Sequence, residues 1–275
     1  MLLFLISTTA LAIGVRILVN PVSNVFQKYL TQRQAHPLFV VTSTYGILSI
    51  GCIFYLLPNL PKNLPISFWY NSFIFNTLGV AGNYFLVKSL HRGDLSVLGP
   101  INAYKALVSL VFGLFLLGEI PNVWGIGGMT LIIAGSYFVI TQPSSTKGLS
   151  WAIFKQKDVQ YRFLALFFSA IDALYLKKII IATSANIAFV SWCIGGFLFS
   201  LMAFLYTQKN ASFRPHFRIL KNYKWYFLAL GLSSGLMQLS TNYAFEGIQV
   251  SYALALFQVS ALVSVLFGVQ FFNEK

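Results

Sequence analysis

The sequence predicts an all-α membrane protein, a polytopic helical bundle of two inverted five-helix repeats. The second repeat lacks its last helix, so about nine transmembrane helices are expected. Three observations predict this. The 275 residues are 57% hydrophobic and 9% charged, too little polar side chain to cover a soluble globule of that size. Apolar runs of about 20 residues, the length that crosses a bilayer, follow one another along the chain. Finally, Ala106-Leu107-Val108-Ser109, Phe112-Gly113 and Glu119 return 155 residues later as Ala261-Leu262-Val263-Ser264, Phe267-Gly268 and Glu274, with seven of fourteen positions identical and no gap. Such a repeat in an apolar chain marks two structural halves packed on each other.

The first run, residues 2–26, starts without a basic leader, and no small-residue cleavage site precedes Arg16. It is therefore read as the first span rather than a signal peptide, with a kink expected at Pro21. Spans two and three, 38–57 and 67–88, flank the turn-rich stretch from Pro58 to Pro65. Spans four and five cover 96–117 and 121–141. The run Gly125-Ile126-Gly127-Gly128 in span five is no phosphate loop, since it has no preceding strand and lacks the Lys-Ser/Thr pair. Residues 142–159, opening on Gln142-Pro143-Ser144-Ser145, are expected to link a first repeat (1–141) to a second (160–275). Spans six to nine cover 160–182, 186–206, 224–245 and 250–272, with the basic stretch Lys209 to Lys224 between the seventh and eighth. Gly231 and Gly235 make a GxxxG pattern that predicts close helix approach. The chain stops at Glu274-Lys275, where the counterpart of span five would begin. A tenth helix is thus expected to be missing, by truncation or by a short native terminus. Five spans per half would set the two copies in opposite orientations.

The net charge of +13 does not indicate nucleic-acid binding, because the basic residues lie in short breaks between apolar runs. Thirteen Lys and Arg fall in the breaks after spans one, three, five and seven, against Lys62, Lys177 and Lys178 in the others. The positive-inside rule then places the odd-numbered loops in the cytoplasm and the N-terminus outside. Cys52 and Cys193 lie in different spans with no metal-ligand spacing and read as small buried side chains. No cofactor and no metal are expected.

Polar side chains inside the spans carry the functional expectation, because each costs free energy in hydrocarbon and needs a partner or a cavity. Span one has Arg16, Asn20, Asn24 and Gln27 along one stripe, and span three has Asn76 and Asn83. Span four has Asn102, Lys105 and Ser109, three and four residues apart and hence on one helix face. Span six has Ser169 and Asp172, span eight Ser234, Gln238 and Asn242, and span nine Ser251 and Gln258. Spans two, five and seven have no amide or charge in their interiors and are expected to pack or to face lipid. The six polar spans would wall a hydrophilic cavity. Each group also has a structural reading: Lys105 and Asp172 as a buried ion pair, Arg16 snorkelling to an interface, and the amides joining helices.

A resemblance to a known family rests on Ser89-Leu90 through Ser96, Pro100, Ala106, Gly113 and Gly118-Glu119, then Gly125 and Gly135. This segment resembles the repeat unit of the drug/metabolite transporter superfamily, EamA type. Arg16-Ile17-Leu18-Val19-Asn20-Pro21 through Asn24-Val25-Phe26-Gln27-Lys28 is similar to the first helix of its bacterial members. The resemblance implies a ten-helix fold of two inverted repeats that carries small metabolites such as amino acids, often with proton coupling, here in a bacterial inner membrane.

Residues and resemblance together lead to a secondary transporter of a small polar or amphipathic metabolite, working by alternating access, with efflux and proton coupling expected. Lys105 would bind an anionic group, and Asp172 an amine or the coupling proton. Asn20, Asn83, Gln238, Asn242 and Gln258 would orient the solute, with Tyr84 and Tyr104 as walls. Glu119 and Glu274 each end a helix at a membrane boundary and are expected to pair with a base or cap a helix. The expected partners are the metabolite, the lipid bilayer and protons, with the chain a monomer or homodimer. A non-transporting scaffold or partner subunit is the alternative. A membrane-embedded transferase fits less well, since six scattered acids and three His form no metal-pyrophosphate or acid/base cluster.

Overall fold

The computed structural model describes residues 2–55, 57–59, 61, 63–91, 93–95, 98, 101–102, 104–140, 155–209 and 213–272. Most of the linker expected at 142–159, and Glu274, lie outside the described residues. Every regular element among those described is a helix. This is the form a chain takes when its backbone polar groups must be satisfied within each segment. Four described stretches are long and apolar enough to cross a membrane: Thr8–Gln32, Pro37–Phe54, Ala185–Thr207 and Val250–Phe272.

In chain order the helices are α1 (Leu2–Gln32), α2 (Pro37–Tyr55), α3 (Ile66–Leu90), α4 (Tyr104–Leu116), α5 (Val123–Ile140), α6 (Lys157–Ala182), α7 (Ala185–Thr207), α8 (Arg214–Asn222), α9 (Lys224–Gly247), α10 (Val250–Leu256) and α11 (Ser260–Phe272). Local chemistry sets several of their ends. Pro37 and Pro65 open α2 and α3, where a missing N–H costs nothing. The Ser184 side chain accepts from Ile187 N at 3.3 Å at the start of α7. Asn122 Oδ1 accepts from Gly125 N at 2.7 Å at the start of α5. Gly118, with φ of +65°, turns the chain after α4 in the left-handed region that glycine adopts without strain.

The most extensive packing joins α3 to α6, α1 to α9 and α2 to α7. Thus each long helix of residues 1–90 leans on one from beyond residue 156. Gly231 and Gly235 let α9 press on α2: a Cβ on either would fall 3.1 Å from Ile47 or 2.6 Å from Leu48. This is the close approach the GxxxG pattern predicts.

Both copies of the repeated segment break at the same place. Ile101 is helical, Asn102 is a turn and α4 starts at Tyr104; 155 residues on, α10 stops at Leu256, a 3-10 turn covers Phe257–Val259, and α11 starts at Ser260. Spans four and nine, expected as continuous helices, are therefore interrupted. Backbone groups at a break need partners other than their own helix, which is tolerated inside a bundle but not against lipid.

Many of the basic residues assigned to loops by the charge tally lie within helices, Lys28, Arg162 and Lys177 among them. Lys28 is 3% exposed, because α1 runs on to Gln32. Its ammonium donates to the Gly93 carbonyl at 3.0 Å, lies 3.8 Å from Asp94 and sits over the Phe272 ring. Arg162 is 5% exposed, because α6 begins at Lys157 rather than at 160. Lys177, in the last turns of α6, donates to the carbonyls of Phe245 and Ile248.

The basic stretch after span seven contains α8, an amphipathic surface helix. Ile219 and Leu220 pack inward, while Arg214, Arg218 and Lys221 lie on its polar side. His216 on α8 packs against Phe39 and Phe204, with ring centroids 5.2 Å away in each case, and against His36 at 6.1 Å. Burial lowers the pKa of both histidines below the usual 6.5; His216 and then Lys88 lower that of His36 further. A histidine with a lowered folded pKa binds fewer protons folded than unfolded. The contact is therefore fully stable above about pH 6.5 and weakens as the pH falls through and below that value. Thermal melts in detergent should show wild-type protein losing more stability between about pH 7.5 and pH 5 than His216→Gln. Equal losses would count against the contact as the cause.

Candidate functional site

A cavity of about 120 Å³ lies at the centre of the bundle, room for several waters or the polar part of a small solute. Side chains of α1, α2, α3, α4, α6, α7 and α9 and of the α10–α11 turn line it. Its wall thus comes from helices before residue 141 and helices after residue 156.

Of the residues predicted from the polar stripes, Arg16, Asn20, Asn24, Asn83, Asn102, Lys105, Asp172 and Gln238 line this cavity, together with Gln27, Ser169 and Ser234. The stripes converge because residues three or four apart share a helix face, and the faces of α1, α3, α6 and α9 meet there. Arg16 Nε donates to Thr241 Oγ1 at 2.8 Å, and its guanidinium lies 5.1 Å from the Phe257 ring centre. Arg16 is thus turned into the bundle rather than snorkelling outward. Ser23 and Ser234 share a 2.7 Å hydrogen bond between α1 and α9. Asn20 Nδ2 donates to Ser260 Oγ at 3.4 Å, at the first residue of α11. Lys105 and Asp172 attract each other electrostatically across the α4–α6 contact.

Asn76, Tyr84, Tyr104, Asn242 and Gln258 lie outside the cavity lining, as do the stripe serines Ser109 and Ser251. Asn76 donates to the Ser72 carbonyl at 2.8 Å and to Ser191 Oγ at 3.4 Å, in the seam between α3 and α7. Tyr84 accepts from Lys88 Nζ at 3.2 Å. Asn242 donates to the Ala185 carbonyl and accepts from Gln238, both at 2.9 Å. Gln258 turns back to the Leu254 carbonyl at 3.0 Å. For Asn242 and Gln258 a nearby carbonyl or amide supplies the partner that burial demands, whereas Asn76 Oδ1 is left without one.

The structure also brings in residues that the stripes did not select. Tyr45 and Thr44 on α2 and Trp192 on α7 line the cavity. Spans two and seven, expected only to pack or face lipid, therefore supply part of its wall. Tyr45 is 2% exposed; its hydroxyl accepts from Asn83 Nδ2 at 2.6 Å, and its ring meets that of Trp192 edge-on at 4.8 Å. An aromatic with a polar tip is invisible to a search for amides and charges, yet it is suited to such a wall. Arg162 also lines the cavity and donates from Nε to the Leu98 carbonyl at 3.0 Å. Arg162 falls inside span six as read from the sequence, but the charge tally counted it with the preceding loop.

Glu119 is not in the cavity. Both of its carboxylate oxygens accept from Val250 N at 3.1 Å, at the first residue of α10. The glutamate that follows α4 therefore caps a helix 131 residues further along the chain, where an acid at a helix N-terminus is favoured. Burial raises its pKa above the usual 4.5, while the amides of Val250 and Ser251 and the nearby Lys177 pull it back down. Tyr252 OH, which donates to Asn122 Oδ1 at 3.2 Å, completes the clasp.

The sequence pattern of the EamA-like transporter family matches residues 6–141. No curated protein matches the chain. A solved crystal structure superposes with a TM-score of 0.71 at 14% identity, covering 98% of this chain and 89% of the other. At that identity the likeness speaks for the fold alone. An interrupted all-helical bundle with a polar cavity at its centre is thus joined by an independent match over residues 6–141: the chain belongs to the EamA-like transporter family of the drug/metabolite transporter superfamily, a family of membrane transporters of small solutes.

Proposed function

We propose that the protein is a secondary transporter that carries a small polar or amphipathic metabolite through the central cavity by alternating access, its two copies of the repeat rocking about that site. The observation that carries this reading is the central polar cavity, walled in this reading by residues of both copies. Residues 1–141 and 160–275 are the two units in this reading, inverted relative to each other, in a bacterial inner membrane.

Paired contacts support the inverted arrangement. Lys28 of α1 holds the carbonyl of Gly93, and Lys177 of α6 holds that of Ile248. Gly93 and Ile248 are 155 residues apart, the spacing of the repeat. Each lysine thus ties the first helix of its unit to the bend that precedes the interrupted helix. Inversion would place these two ties on opposite membrane faces, as gates of alternating access require.

Asp172, beside Lys105 in the cavity, carries the coupling proton in this reading. A metabolite flux screen in proteoliposomes, with and without an imposed pH gradient, tests it. The gradient should stimulate wild-type flux and leave Asp172→Asn flux unaltered. Flux in the wild type that ignores the gradient would remove proton coupling through this aspartate. Absence of flux for every solute would favour a scaffold role.

A further inference from the structure

The cavity holds more positive charge than negative. Arg16, Lys105 and Arg162 line it from α1, α4 and α6, and Asp172 is the one acid among the described lining residues. The three cations are close enough that Arg16 and Arg162 both repel Lys105, while Asp172 attracts it. Arg16 is anchored through Nε to Thr241, and its Nη1 is buried without a hydrogen-bond partner. A guanidinium with an unmet donor beside a surplus of positive charge is costly in a low-dielectric interior unless an anion joins it.

Resting on the reading of the protein as a transporter, we infer that its substrate is a small organic anion whose acidic group lies between Arg16 and Lys105. The geometry of a guanidinium suits an oxyanion, which accepts two parallel N–H bonds from it. A solute bearing an ammonium would add a cation to a site already rich in them, where Asp172 is the one acid among the described lining residues. The amides Asn20, Asn83 and Gln238 serve the uncharged part of the solute.

The same charge count gives Asp172 its role. Lys105 faces it from α4 and Tyr45 from α2, while a Cβ on Gly79 of α3 would fall 3.2 Å from its Oδ2; Arg16 and Arg162 complete the charged surroundings. Protonating Asp172 removes the one negative charge that competes with the anion for Lys105. Proton and anion therefore strengthen each other's binding, since such linkage is reciprocal.

The test uses the full chain in proteoliposomes with radiolabelled succinate, 4-aminobutyrate and putrescine, which share a four-carbon backbone and differ in charge. Succinate flux should exceed that of the other two by about tenfold or more. Asp172→Asn should lower the succinate KM about fivefold or more and abolish its pH dependence, whereas Arg16→Gln should raise that KM. Size-exclusion profiles and melting temperatures of each variant separate a binding loss from a folding loss. Faster flux of 4-aminobutyrate or putrescine, or a raised succinate KM in folded Asp172→Asn, would overturn the anion assignment and leave the transporter reading standing. No movement of any of the three solutes by folded wild-type protein would overturn both.

Discussion

Replacing Gly196 by alanine is expected to lower the melting temperature sharply and to cut flux through the cavity. Gly196 on α7 faces the Tyr45 ring on α2, and a Cβ there would sit 2.6 Å from Tyr45 Cδ1. The ring has little room to retreat. It is 2% exposed, bonded at its hydroxyl to Asn83 on α3 and held edge-on by Trp192. Either α2 and α7 separate or Tyr45 swings out and abandons Asn83. Overpacking of this kind costs about 1–3 kcal/mol. Movement of Tyr45 would also reshape the cavity wall. Melting curves in detergent and initial flux rates should both change, and Tyr45→Phe in the same background should not restore either, because the ring is what clashes. A Gly196→Ala protein that melts and transports like the wild type would show that the α2–α7 seam is looser than the structure has it.

Glu119→Ala is the second substitution with a large expected effect, and it should act on folding rather than on substrate affinity. The carboxylate bonds the first amide of α10 and lies near Lys177, which itself holds the carbonyls of Phe245 and Ile248. Removing it leaves the start of α10 uncapped, a loss of about 0.5–2 kcal/mol. It also deprives Lys177 of an attracting charge. Glu119→Gln keeps an acceptor for Val250 N and loses only the charge, so its defect should be smaller. The yield of monodisperse protein and its melting temperature should fall in the order wild type, Gln, Ala. An unchanged yield with weakened substrate affinity would instead place Glu119 in the solute path.

The polar stripes were legible because helical periodicity converts spacing into a face. Arg16, Asn20 and Asn24 on α1, and Lys105 with Asp172, were chosen on that basis and meet at one cavity. Asn242 and Gln258 satisfied the same pattern, yet local carbonyls and a neighbouring amide take their hydrogen bonds. Periodicity reports which face a side chain is on, not which partner it finds. Tyr45 and Trp192 went unselected for the opposite reason. Their hydrophobic bulk is ordinary in a membrane helix, and only packing reveals that they border water-sized space. The break at Phe257–Val259 was hidden because that stretch is as apolar as a continuous span, and the one at Asn102 because a count of apolar run length passes over the breaker Gly99-Pro100.

What the sequence determined by itself was the solvent and the helical class: hydropathy and spacing are properties of a chain segment and need no neighbour. Residues 106–119 and 261–274 read alike before any fold was known. Tertiary structure alone decided which helices touch, that Glu119 caps α10, and that Lys28, Arg162 and Lys177 lie inside helices. It also decided the balance of charge in the cavity, since Arg162 joins Arg16 and Lys105 only when α6 is docked. Charge in an enclosed space is a sum over residues distant in the chain, and packing selects the terms of that sum.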